Sequence, residues 1–330
     1  MDLLSIRFIQ EIRYFTAAYE EGNFTRASKR EHCTQSGLST HIKYLESLLS
    51  QQLFERHARG VTPTVAGECL YACCTNVLGS VKAARQRMLE LAGNTGGKIN
   101  VGVPLTFGRS VLSPALQTYL AKHPLVEIRL TEGLSDNISG LVEIGALEAA
   151  IVTEPPASLG LETTQFFSDR LMLVTSPKRT AVIRNLANMS SKNGQISGNR
   201  SVQGKRLKLV LSSRKHGSRR AIESKIRLDS LAADKILEID GLEARLELVR
   251  GSDWATILPA FAIAKDVREG RLSVERLPGV EVLLDYFLVQ RKGVPTSAAC
   301  HDFLRIMKDE LHRISGQDKS MTRQNISRHL

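Results

Sequence analysis

The 330-residue chain contains no apolar run of the roughly 18 residues that a membrane span requires. No long apolar core leading to a small-residue cleavage site follows Asp2 and Arg7, so the cytoplasm is the expected compartment. Common catalytic signatures are missing too. There is no G-x-S-x-G elbow, no H-E-x-x-H and no phosphate-cradling G-x-x-x-x-G-K, and His123, His216 and His301 lack obvious nucleophile partners. A hydrolase or transferase is therefore the poorer class of explanation, and no cofactor is expected. The five cysteines, Cys33, Cys69, Cys73, Cys74 and Cys300, form no C-x-x-C pair. Cys69 and Cys73 share a predicted helix face, but no His or further Cys lies at a helpful spacing. No metal site is expected, and the thiols read as small packed hydrophobes.

What is present begins with the block from Ile12 to Gly67. Helical spacing through Phe8, Ile12, Phe15 and Tyr19 stops at Gly22-Asn23, and Thr25 is placed to cap a second helix running from Arg26 to about His32. Thr34 is placed to cap a third, in which Leu38, Ile42, Leu45 and Leu49 form one buried stripe. The opposite face carries Gln35, Ser36, Ser39, Thr40 and Lys43 near the helix N-terminus, the end that enters a major groove in a helix-turn-helix. Gln can bond an adenine edge at two points, Ser and Thr serve bases or phosphates, and Lys43 neutralises a phosphate. An ordinary amphipathic helix with a solvated polar face would show the same stripe. Residues 53–56 and 61–64 then flank His57-Ala58-Arg59-Gly60 as a hairpin, which puts Arg56 and Arg59 on a protruding ribbon beside the third helix.

At these residues the chain resembles the N-terminal domain of LysR-type transcriptional regulators. The resemblance is carried by Phe15, Gly22-Asn23-Phe24-Thr25, Ala27, Gln35, Ser39, Ile42, Leu45-Glu46, Leu53-Phe54, Arg56, Thr64 and Ala66-Gly67. Some positions depart from the pattern: Ser28 replaces the usual second Ala, Glu31 a Leu, Ser36 a frequent Pro, Ser50 a frequent Gly and Pro63 a frequent Leu. Glu31 places a carboxylate at the end of the second helix.

Residues 65–91 read as one long helix. Leu70, Cys74, Val77, Val81, Ala84, Met88 and Leu91 alternate spacings of four and three, a heptad seam that needs a partner. A core helix of the same chain could supply it, but the position directly after a DNA-binding unit favours dimerisation, and the resemblance implies the same. A homodimer or homotetramer then meets two DNA half-sites. Gly93, Gly96 and Gly97 are expected to end the helix.

Beyond Lys98 short strands alternate with helices. Strands are expected at 99–103, 126–130, 149–152, 171–174, 207–211, 236–239, 256–258 and 283–289, with helices at 109–122 and 138–144, a pattern that implies parallel α/β sheets. The organisation expected is an N-terminal winged helix-turn-helix over 1–64, a linker helix over 65–92, and then two α/β subdomains. The first spans 98–163 and 268–314, the second is inserted at 164–267, and 315–330 is a polar C-terminal tail. This arrangement resembles the periplasmic-binding-protein-like effector domain of the same family, through Glu132-Gly133-Leu134-Ser135, Glu148-Ala149-Ala150-Ile151 and Gly251-Ser252-Asp253-Trp254 leading to Leu258-Pro259. Ligands in open α/β folds settle outside the carboxyl ends of strands. Thr106, Ser135, Ser212 and Ser213 follow such strands, with Arg214 beside them, and the resemblance implies effector contacts at corresponding loops. Each hydroxyl could equally cap a helix.

Residues 178–227 hold fourteen Lys and Arg against Glu223 alone, so the whole basic excess of the +11 chain lies outside its DNA-reading part. A solvated loop face, an anionic effector, or contact with bent DNA or RNA polymerase would each account for it. The reading that follows is a regulator that binds double-stranded operator DNA and responds to a small molecule. A transport solute-binding protein would have no use for Gln35, Ser39 and the Arg56–Arg59 wing, and a constitutive DNA-architectural protein would leave the α/β half unexplained.

Overall fold

The computed structural model describes residues 6–57, 60–91, 97–179, 207–226, 233–277 and 281–327. They form two compact units, one built on Met1–Asn94 and one on Thr95–Val142 with Leu147–Leu330.

In the first unit, α1 (Ile6–Glu21), α2 (Phe24–Arg30) and α3 (Gln35–Leu49) precede a hairpin of β1 (Phe54–His57) and β2 (Gly60–Pro63), and then α4 (Val65–Leu91). The three-and-four spacing buries Ile12 and Phe15 of α1 against Leu38, Ile42 and Leu45 of α3, all at most 1% exposed. The Phe54 ring joins the hairpin to this core, 5.4 Å from Phe15 and 5.7 Å from Phe24. The cap of α2 is Asn23 rather than Thr25. The Asn23 amide oxygen accepts from the Thr25 N–H at 2.8 Å and the Arg26 N–H at 3.2 Å, which starts the helix earlier than expected and leaves Thr25 exposed in its first turn. The helix also ends earlier, because His32 turns into the left-handed region at φ 53°. Thr34 caps α3 as expected, accepting from Gly37 N–H at 3.1 Å. Glu31 finds its partner across the bundle in Arg13 of α1, at 2.5 Å.

Gly60, read as a hairpin turn residue, serves a docking contact. A Cβ there would come within 2.4 Å of the Gly22 carbonyl oxygen, the acceptor for the Val61 N–H at 3.0 Å, so only glycine lets the ribbon seat on the α1–α2 turn. The heptad seam on α4 also divides. Leu70 and Cys74 are absorbed into the first unit's core, where Tyr71 stacks on Tyr19 at 3.9 Å, so these two are not free for a partner. Farther along the same stripe Val77, Val81, Ala84 and Met88 are exposed.

The second unit contains β3 (Gly97–Val103), α5 (Leu112–Lys122), β4 (Val126–Glu132), α6 (Ser135–Glu143), β5 (Ala149–Val152), β6 (Leu161–Thr175), β7 (Leu207–Leu211), α7 (Gly217–Lys225), β8 (Ala233–Glu238), α8 (Leu242–Gly251), β9 (Trp254–Pro259), α9 (Ala260–Arg268), β10 (Ser273–Arg276), β11 (Leu283–Arg291) and α10 (Ala298–Ser327). Gly97 therefore begins a strand instead of ending a helix, while Gly93 and Gly96 lie outside the described residues. The strands form one path, β4-β3-β5-β11-β6-β9-β7-β8, with β10 also on β6. It is not wholly parallel. Two parallel trios, β4-β3-β5 and β9-β7-β8, are joined through β11 and β6, which pair antiparallel with each other and with their neighbours. The loop from β5 to β6 holds no helix, so nothing forces the parallel crossover there.

β6 pairs through residues 161–170 with β11 and through 171–174 with β9, so one strand runs through both halves. It carries a bulge: Gln165 faces Phe287 while Phe167 faces Tyr286, leaving Phe166 as the extra residue. The segment expected as a polar tail from 315 continues the helix α10 to Ser327. Among the described residues no helix is long and apolar enough to cross a membrane and no three potential ligands cluster for a metal ion. All five cysteines are free thiols, of which Cys69 and Cys73 are exposed.

Candidate nucleic-acid and effector sites

The apolar stripe of α3 faces inward, so its complement must face out. Gln35, Ser36, Thr40 and Lys43 are exposed along it and Ser39 is half-buried. The Thr34 hydroxyl is engaged in its cap, and the Thr40 hydroxyl donates to the Ser36 carbonyl at 2.9 Å, each keeping lone pairs for an outside donor. Ser39 is not an isolated contact. Arg56 of β1 donates to its Oγ at 3.2 Å, and the same guanidinium lies 5.0 Å from the Phe24 ring centroid, so the ribbon and α3 share one cationic contact. Arg59 lies outside the described residues. Two features invisible to spacing hold α3 in place: His41 meets the fully buried Glu11 carboxylate of α1 at 2.9 Å, and packs edge-on against Tyr14.

In the second unit a cleft opens between the two parallel trios. The first trio lines it with Thr106, Ser135 and Thr153, the second with His216, Asp240 and Arg245. Ser135 opens α6 and accepts from the Thr153 N–H at 3.1 Å, tying that helix start to the end of β5. Thr106 sits in the turn before α5 rather than at the helix start, because α5 begins only at Leu112. Its hydroxyl lies buried near the Tyr286 hydroxyl, and neither oxygen completes a well-formed hydrogen bond. Burial, with the charge of Asp169, pushes the Tyr286 phenol far above its ordinary range, so it stays a neutral donor.

Three of the expected effector residues do not line this cleft. Ser212 is buried with its carbonyl engaged by Arg219, Ser213 donates its N–H to Asp240 at 2.8 Å, and the exposed Arg214 guanidinium is held at 2.9 Å by Glu223. Long basic side chains find carboxylates close by in the fold, which is why a charge count over a sequence window does not place them. Asp240 is held below the usual carboxylate range first by the Ser213 N–H and also by His216. Burial lowers the His216 imidazole and keeps it neutral near pH 7. Sequence reasoning missed Arg245, His216, Asp240, Thr153 and Tyr286. A signal existed for one of them: Leu242, Arg245, Leu246 and Val249 share the buried stripe of α8, and an arginine in such a stripe is out of place unless something pairs with it.

The halves touch at the mouth of the cleft. Gly217, at the start of α7, packs so close to Thr153 that a Cβ would lie 2.4 Å from its hydroxyl oxygen. Arg220 of the same helix binds Glu154, Nε to Oε1 at 2.6 Å. On the other side Arg109, from the turn after β3, bridges Glu243 of α8 and Asp266 of α9.

Residues 9–68 match the family model of the bacterial regulatory helix-turn-helix protein, lysR family, and residues 92–312 match that of the LysR substrate binding domain. The HTH-type transcriptional regulator GltR of Bacillus subtilis is 25% identical over 313 residues, covering 94% of this chain and 99% of that protein. Among solved structures, a full-length OxyR variant from Pseudomonas aeruginosa superposes with a TM-score of 0.67 at 19% identity, over 92% of this chain and 94% of that one. Full-length CbnR complexed with its target DNA superposes with a TM-score of 0.57 at 19% identity, over 92% of this chain and 99% of that one. The winged helix-turn-helix, the linker helix and the two-part α/β domain thus occur together and in the same order, and the chain belongs to the LysR family of transcriptional regulators, with a helix-turn-helix DNA-binding domain and an effector-binding domain.

Proposed function

We propose that the protein is a cytoplasmic regulator that reads double-stranded operator DNA with α3 and its wing as a homodimer or homotetramer. The observation that carries this reading is the exposed face of α3, with Arg56 reaching from the ribbon to Ser39. Gln35 reads a base edge from the helix N-terminus, Ser36, Ser39 and Thr40 serve bases or phosphates, and Lys43 and Arg56 neutralise backbone charge. Partner copies join through the exposed part of the α4 stripe, Val77 to Met88. A small molecule in the cleft between the trios shifts the balance of closed and open forms, which changes the spacing of the DNA-reading units and the recruitment of RNA polymerase.

The test is a gel-shift titration on a duplex enriched from a random pool and on an unselected duplex, at several salt concentrations. Gln35→Ala is expected to lose about 1–3 kcal/mol on the enriched duplex only. Arg56→Ala is expected to weaken both duplexes alike and to lower the salt slope by about 1. Unchanged affinity of Gln35→Ala for the enriched duplex removes α3 from base reading.

A further inference from the structure

We propose that Arg245 anchors a carboxylate, so that the effector of this regulator is a small carboxylic acid; the assignment rests on the cleft being the effector site. Arg245 projects from α8 into the cleft and is 5% exposed. It forms no ion pair or hydrogen bond with any described residue, and its Nε is buried without a partner. Arg219, as deeply buried at 4% exposed, has Glu223 at 2.8 Å and the Ser212 carbonyl at 3.3 Å, and the half-buried Arg250 has Asp266 at 2.7 Å although its Nε is also unpartnered. A buried guanidinium without a close hydrogen-bonded partner costs stability that a purely structural role does not return. Burial lowers its pKa to about 10, with Asp240 opposing, so it remains a cation at neutral pH.

The surroundings favour an anion in front of it. The starts of α6, α7 and α8 meet at the cleft, each with the positive end of its helix dipole, and the N-cap residues His216 and Gly241 supply no side-chain cap. The hydroxyls of Thr106 and Tyr286 add donors that the fold itself does not use well. The charge count selects a carboxylate over a phosphate. Among the described residues Arg245 is the single guanidinium lining the cleft, no lysine accompanies it, and Asp240 lines the same cleft. Asp240 already offsets Arg245, so each carboxylate adds one negative charge to the cleft where a phosphate dianion adds two at one centre, and a planar carboxylate matches the guanidinium fork in bidentate geometry.

The test pairs each carboxylate with its amide: benzoate with benzamide, succinate with succinamide, L-alanine with L-alaninamide, and inorganic phosphate as a further arm. Thermal unfolding of the full chain is followed with each probe. At least one carboxylate is expected to raise Tm by about 3 °C or more at millimolar concentration, while its amide and phosphate do not. That shift is expected to vanish in Arg245→Met, to persist in reduced size in Arg245→Lys, and to vanish in Leu134→Trp, which adds bulk to the cleft from the other half and leaves the arginine in the sequence. Without any probe, Arg245→Met is expected to melt higher than the wild type, since an unpaired buried cation is removed. A lower Tm for unliganded Arg245→Met, or no shift from any carboxylate, overturns the assignment. Shifts by amides that survive Arg245→Met but not Leu134→Trp overturn it while leaving the cleft as the effector site. Shifts that survive Leu134→Trp move the ligand elsewhere and overturn both.

Discussion

Ser50 ends α3 in the left-handed region at φ 52°, its N–H donating to the Glu46 and Ser47 carbonyls. A side chain in that conformation costs about 1 kcal/mol, which a glycine avoids. Ser50→Gly is therefore expected to stabilise the protein by roughly 0.5–1 kcal/mol, less what the freer unfolded chain takes back, as read from the urea midpoint of the first unit. A lower midpoint would mean that the Ser50 hydroxyl contributes more than the backbone strain removes. This strain was legible in the sequence as a serine where the family pattern has glycine. The neighbouring departure, Glu31, was not legible in the same way. Its partner Arg13 lies eighteen positions away on another helix, and the Glu11–His41 pair spans thirty, so no local periodicity connects them. Residue types exposed on one face of α3 were readable because a helix repeats; the Arg56–Ser39 bond across two elements required the fold.

At the scale of elements, α4 shows what a periodic pattern can and cannot say. The heptad spacing marks out one face, but a stripe does not state which of its turns pack against α1 and which stay exposed. The exposed part, with Val77 42%, Val81 46% and Met88 65% accessible, is the part we propose for a second copy. Val81→Asp is expected to sediment as a monomer and to lose operator binding, while its circular dichroism stays that of the folded protein. A dimeric Val81→Asp protein would show that copies join elsewhere. β6 shows the opposite case. Only its end, 171–174, reads as a strand, because Leu171 to Val174 are all apolar whereas 162–165 are all polar. The half that pairs with β11 was thus hidden, and with it the antiparallel seam of the sheet.

Across the whole effector unit, charge is arranged around Asp266. This carboxylate is fully buried and meets Arg109, Arg250 and Arg271. Burial pushes its pKa up, and the hydrogen bonds and charges of Arg109 and Arg250 together more than reverse this, leaving it below the ordinary aspartate range. A depressed folded value gives stability that is complete above the unfolded pKa of about 3.9 and lost as the pH falls through the folded value. Asp266→Asn is expected to lower Tm at pH 7 and to flatten its decline on the acid side of pH 4, measured by thermal scans between pH 7 and 2.5. Curves that stay parallel over that range would show that Asp266 does not link the arginines to acid stability. Arg271 lies five positions from Asp266, but Arg250 is sixteen away and Arg109, in the other half, 157, so local spacing does not connect the network.

The bulge at Phe166 has a consequence for the length of the chain itself. Before it, Leu161 packs with Val289 and Phe287; after it, Phe167 and Leu171 pack with Tyr286 and Leu284 on the other face. Odd-numbered side chains of one strand thus change sides partway along, and a single extra residue sets that phase. Deleting one residue there would turn over every side chain on one half of the strand, exposing Leu161 or Leu171 with their neighbours. Parity at this point is a property shared by both halves of the domain, so β6 tolerates substitutions far better than it tolerates a change in length.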